Sequence, residues 1–175
     1  FNKDLLLNPK FAQFGNYIKE SKIYKCPSDD KIFNHNETIF EKVRSYSMNC
    51  YMGWMPLNYG GPVPSSIFYT QRDISKPSER FVFIDVNPNS ICWPFFGVET
   101  SSWPIQGLRQ NDYFHMFPGS LHLKSGNISF SDGHVDSHKW IDNRTINPEN
   151  TFWHTHHHES KDNKDLLWLR NHSVK

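Results

Sequence analysis

Between Pro9 and Glu20 the apolar residues Phe11, Phe14 and Ile18 recur at helical spacing, and Pro9 suits a first turn, so the pattern predicts a short amphipathic helix. The cluster Cys26-Pro27-Ser28-Asp29-Asp30 then forms a turn and leads into a polar loop through Asn34 to Glu37. Ser45 to Tyr51 alternates as a strand, and Arg80 to Val86 is the clearest buried strand in the chain. Two stretches, Gly53 to Pro64 and Asn87 to Phe117, carry Trp, Tyr, Phe and Pro with no period, which predicts long loops.

The segment Ser120 to Trp140 reads as three consecutive antiparallel strands, with Asp132-Gly133 a strong two-residue turn signal and Ser125-Gly126 a weaker one. Two-residue loops at both places pair Phe130 with Val135 and Leu123 with Ile128. That register gathers Leu121, Leu123, Ile128, Phe130 and Val135 on one face and leaves His122, Ser129, Ser131, His134, Asp136 and His138 on the other. A three-residue loop at Lys124 to Gly126 would carry His122 to the apolar face instead. Past Trp140 the chain is polar and histidine-rich until Asp165 to Arg170, whose apolar residues predict a closing turn or short helix docked on the body.

Length adds one expectation: 175 residues without a repeat suit a single domain over 1–175. Only 37% of residues are hydrophobic and 15% are aromatic, so aromatic rings must supply much of the core. With 19 basic against 18 acidic residues, the chain lacks the basic footprint of a nucleic-acid binder. No apolar run reaches bilayer-spanning length, and the start at Phe1 shows no signal-peptide pattern, so the sequence reads as an internal fragment or processed product. Cys26, Cys50 and Cys92 follow no zinc spacing; a Cys26 to Cys50 bridge and three buried thiols both remain open.

His122, nine intervening residues, then Asp132-Gly133-His134-Val135 is similar to the C-terminal signature of the prepilin-type processing-associated His-X(9)-Asp-Gly proteins. The order of Tyr24 to Asp29, Arg44 to Asn49, Lys76-Pro77-Ser78, Phe83-Ile84-Asp85 and Asp165 to Leu169 resembles that family's landmarks across most of the chain. More distantly, the family resembles the major pseudopilins of type II secretion. The resemblance implies an α+β fold with a pilin-like antiparallel β-sheet, long aromatic-rich loops and a short N-terminal helix. It also implies a membrane-inserting hydrophobic N-terminal helix that this sequence does not contain. The implied protein is a non-enzymatic, membrane-anchored extracytoplasmic subunit, at the cell surface or in the periplasm, whose partners are other pilin-like subunits.

Each candidate site has a plainer explanation beside it. His122 and Asp132 are residue types suited to acid–base work, but Asp132-Gly133 is also what a tight hairpin requires, and no nucleophile motif accompanies the pair. We read His122, Asp132 and Gly133 as structural and expect no catalytic residue. His154, His156, His157 and His158, with Glu159, carry metal-ligating groups without a well-placed fourth ligand, and Asp29, Asp30, Asp132 and Asp136 form no calcium loop, so no metal or other cofactor is expected. Trp54, Tyr59, Trp93 and Trp103 lie in the irregular stretches, either packing the loops down or offering flat faces to a polysaccharide. A polysaccharide-binding surface adhesin is therefore the second functional reading, and a hydrolase the third.

Overall fold

The computed structural model describes residues 2–35, 38–53, 66–91, 93–99, 112–149 and 157–175. Its secondary structure is mixed, mostly sheet with a few helices. Two compact units make up the chain, Phe1–Tyr46 and Ser47–Lys175.

In the first unit a single helical turn, α1 (Asp4–Leu7), precedes the antiparallel hairpin of β1 (Ile32–His35) and β2 (Thr38–Glu41), in which Ile32 faces Glu41. The hairpin occupies the region expected to be a polar loop. The helix expected from Pro9 to Glu20 is absent: separate turns close through Phe11 N–H to the Asn8 carbonyl, Gly15 N–H to Ala12 and Ile18 N–H to Phe14. Phe11, Phe14 and Tyr17 are exposed, and a helix this short is marginal in water unless it buries an apolar face. Gly15 also sits so close to the preceding turn that a Cβ there would meet the Leu7 carbonyl oxygen at 2.8 Å.

The second unit is built on a five-stranded sheet in the order β5-β3-β4-β7-β8. Its strands are β3 (Tyr46–Asn49), which begins at the unit boundary, β4 (Phe81–Asp85), β5 (Phe95–Phe96), β7 (Ser125–Phe130) and β8 (Val135–Lys139). The pairs β4–β7 and β7–β8 are antiparallel, whereas β3 and β5 run parallel, so the sheet is mixed and not wholly antiparallel as expected. A small two-stranded sheet joins β6 (Tyr113–Phe114) to β9 (His158–Glu159). Helices α2 (Asn143–Ile146) and α3 (Lys164–Ser173) close the chain. Asn163 caps α3 by accepting the Asp165 and Leu166 N–H groups, and Leu166 and Leu169 enter the core. That core is aromatic, as composition required: Phe81, Phe96, Phe114, Phe117, Phe130 and Trp140 pack with Ile84, Ile128 and Met116. Among the described residues, no helix is long and apolar enough to cross a membrane.

The predicted three-strand meander is corrected in two places. Ser129 pairs with Val135 and Ile128 with Asp136, so the second turn has three residues, with Gly133 in left-handed backbone at φ 94°. This one-residue slip sends Val135, 68% exposed, to solvent and brings His134 onto Phe130, ring on ring at 4.3 Å. Upstream, the tight turn is at Leu123-Lys124, both left-handed, within the isolated bridge of His122 to Ser125. Leu123 is 93% exposed and Leu121 is exposed too, so neither joins the core with Ile128 and Phe130. The strand that pairs with β7 in their place is β4, Phe81 opposite Phe130 and Ile84 opposite Ile128.

Gly126 is therefore an interior strand residue. Trp140 lies over it and donates its indole N–H to the Gly119 carbonyl at 2.7 Å; a Cβ at Gly126 would meet that carbonyl at 2.8 Å and the Trp140 ring at 3.2 Å.

Candidate functional site

The residues of the His-X(9)-Asp-Gly pattern do not converge. His122 directs Nε2 toward Asp85 Oδ2, 3.6 Å away, on the neighbouring strand. Asp85 also accepts the Asn127 N–H at 2.8 Å, and burial pushes its carboxyl above the usual range against the effects of that bond and of His122. Asp132 instead accepts the His134 backbone N–H at 3.1 Å and meets the His134 ring at 2.6 Å; these bonds hold its carboxyl below the usual range. His122 thus sets the Leu123-Lys124 turn against a side chain of β4, whereas Asp132 closes the β7–β8 hairpin by holding the His134 backbone.

Other segments singled out in the sequence are joined by buried hydrogen bonds. Within the first unit, Ser45 Oγ accepts the Cys26 N–H at 3.1 Å and donates to Asp29 at 2.7 Å. Within the second, Asn49 donates to the carbonyls of Phe81 and Ser173 and accepts the Tyr51 N–H. Cys26 and Cys50 are buried thiols, so they form no disulfide with each other.

Of the aromatics proposed to face a sugar, Trp54, Tyr59 and Trp103 lie outside the described residues, as do His154 and His156. Trp93 is 41% exposed, its ring 5.5 Å from Phe95 and 6.1 Å from His115.

A cluster that no local spacing foretells forms beside it. The Val98 to Phe114 bridge and the Glu99 N–H bond to the Tyr113 carbonyl lay the segment after β5 along β6, while β9 pairs with β6 through Phe114 and His158. Continuing that antiparallel register by one residue sets His157 opposite His115, their rings 5.1 Å apart. One ligand atom from each of Glu99, His115 and His157 lies within 4.8 Å of the others. Glu99 is 1% exposed and His115 is buried, its ring stacked on Phe95, whereas His157 is 34% exposed and opens the cluster to solvent. His157 Nδ1 contacts the Glu99 carboxylate directly. Burial raises the Glu99 pKa, with the His157 hydrogen bond and charge opposing it. Tyr113 is pushed above the usual phenol range by desolvation first, then by Glu159, Glu99 and Asp112. Of the three, only His157 belongs to a stretch that sequence marks as metal-ligating; Glu99 and His115 stand alone in irregular stretches, and strand pairing is what unites them. A comparison with known protein families, with curated proteins and with solved structures finds no match.

Proposed function

We propose that this chain is the globular part of a non-enzymatic, pilin- or pseudopilin-like subunit of a type II secretion or pilus-like surface assembly. The observation that carries the reading is the use made of the signature residues. His122 faces Asp85 of another landmark segment, Asp132 and Gly133 form a hairpin turn, and Asn49 ties three backbone segments together. Residues committed to local structure suit a subunit whose work is assembly, and the separate placements of His122 and Asp132 weigh against a hydrolase built on that pair.

On this reading the full-length protein carries a cleaved leader and a hydrophobic helix of about 20 residues ahead of the present chain, and associates with other pilin-like subunits outside the cytoplasm. The test follows the tagged full-length protein in its native cells by fractionation, protease shaving and in-cell cross-linking. Processed, membrane-associated, protease-accessible protein that cross-links to other pilin-like subunits supports the reading; an unprocessed cytoplasmic protein refutes it.

The exposure of Trp93 favours a second reading, a surface adhesin for polysaccharide. Retention of the domain on a polysaccharide affinity gel, reduced by Trp93→Ala, Trp54→Ala or Trp103→Ala while the fold survives, is the result expected of it. Undiminished retention in all three variants removes it.

A further inference from the structure

Two imidazoles and a carboxylate meeting in a largely buried place are the donor set of a transition-metal site, and three such protein ligands leave a further position for water. We propose that Glu99, His115 and His157 bind one divalent first-row transition-metal ion of the zinc class.

An ion pair joins Glu99 and His157, and a ring nitrogen of His115 lies within 4.8 Å of both partners' ligand atoms. A metal ion uses all three. Bonds of about 2.0–2.2 Å to a tetrahedral ion set donor atoms roughly 3.4 Å apart. The Glu99–His157 contact therefore opens and His115 draws nearer, with the ion replacing the direct hydrogen bond. The buried carboxylate supplies negative charge where water competes poorly, and the exposed edge of His157 provides an entry path. Two nitrogen donors select against calcium and magnesium, which take oxygen. Bound metal fastens the segment after β5 to the strands β6 and β9, clipping together residues 58 positions apart in sequence.

The test uses the whole 175-residue chain, stripped of metal and titrated with Zn2+ by calorimetry and thermal melting, with Ca2+ as a parallel arm. The expected result is one equivalent of Zn2+ bound, a melting midpoint raised by about 5–10 °C at a hundredfold excess over Kd, and no response to Ca2+. Glu99→Gln and His157→Gln should each weaken Zn2+ binding by about 100-fold or more, whereas the double variant His154→Gln/His156→Gln should retain it. Because a change at a half-buried pair can impair folding, Co2+ bound to the unaltered chain gives an independent readout: intense visible bands of four- or five-coordinate cobalt are expected. The proposal is overturned by weak octahedral bands, by binding no tighter than about 1 mM, or by binding that survives loss of Glu99 and His157 and vanishes with His154 and His156.

Discussion

Asn49 is fully buried and its side chain makes three hydrogen bonds: Nδ2 donates to the Phe81 carbonyl at 3.1 Å and to the Ser173 carbonyl at 2.8 Å, and Oδ1 accepts the Tyr51 N–H at 3.0 Å. It thereby holds the end of β3 against the start of β4 and the last residue of α3. Truncation in Asn49→Ala removes all three bonds and leaves buried backbone groups behind that water cannot reach. At about 1 kcal/mol net per bond, with any orphaned group adding to the loss, the variant should be destabilised by about 3–4 kcal/mol, a large share of the roughly 5–15 kcal/mol that holds a domain folded. Asn49→Asp keeps the shape but faces two carbonyl oxygens with a carboxylate, so at neutral pH it should be at least as destabilising. Equilibrium urea unfolding followed by tryptophan fluorescence and circular dichroism measures both. A loss under about 1 kcal/mol in Asn49→Ala, with an unchanged dependence on denaturant, would refute the claim that this amide joins the three segments.

The glycines separate space from conformation. Gly126→Ala should cost about 1–3 kcal/mol because its Cβ meets the Gly119 carbonyl and Trp140, whereas Gly133→Ala, with nothing within 4 Å, should cost about 1 kcal/mol through its positive φ alone; thermal melts that show no loss in either variant contradict the packing and the turn. Burial holds the His138 imidazole below its usual range, with His172 adding to the effect and Asp165 and Asp136 opposing it. On acidification the unfolded chain takes up this proton first, so the stability from neutral His138 is full above about pH 6.5 and is lost as pH falls through the lower folded value. The unaltered chain should therefore lose more stability between pH 7.5 and pH 5 than His138→Phe, which keeps a ring against Trp168; parallel losses rule out this contribution. Burial also raises the Cys50 thiol pKa well above its ordinary value, so a thiol reagent should modify Cys50 only on unfolding, as peptide mapping after native and denatured labelling would show.

What the sequence made legible was whatever a single segment could determine. The apolar run at Phe81 to Asp85 is a strand because it carries its own periodicity, and α3 forms where Leu166 and Leu169 can bury one face behind a capping Asn163. The pattern from Phe11 to Ile18 had the same kind of signal, yet Phe11 and Phe14 stay exposed and the segment forms turns. Asp132-Gly133 announced a hairpin but was compatible with loops of two or three residues. The choice is made from outside the segment: Ser131 donates its N–H to the carbonyls of Pro77 and Arg80, and its hydroxyl to Arg80 as well. Those bonds place Ser131 in the turn, and once it is there every side chain of β8 changes face. The same dependence hid the cluster of Glu99, His115 and His157. Its members share no local spacing, and none lies on a strand with a legible period; they become neighbours because β6 receives the segment after β5 on one side and β9 on the other. A site of this kind is a consequence of topology, so motif reading could find the histidine-rich stretch to which His157 belongs, yet had no means of finding the partners it meets.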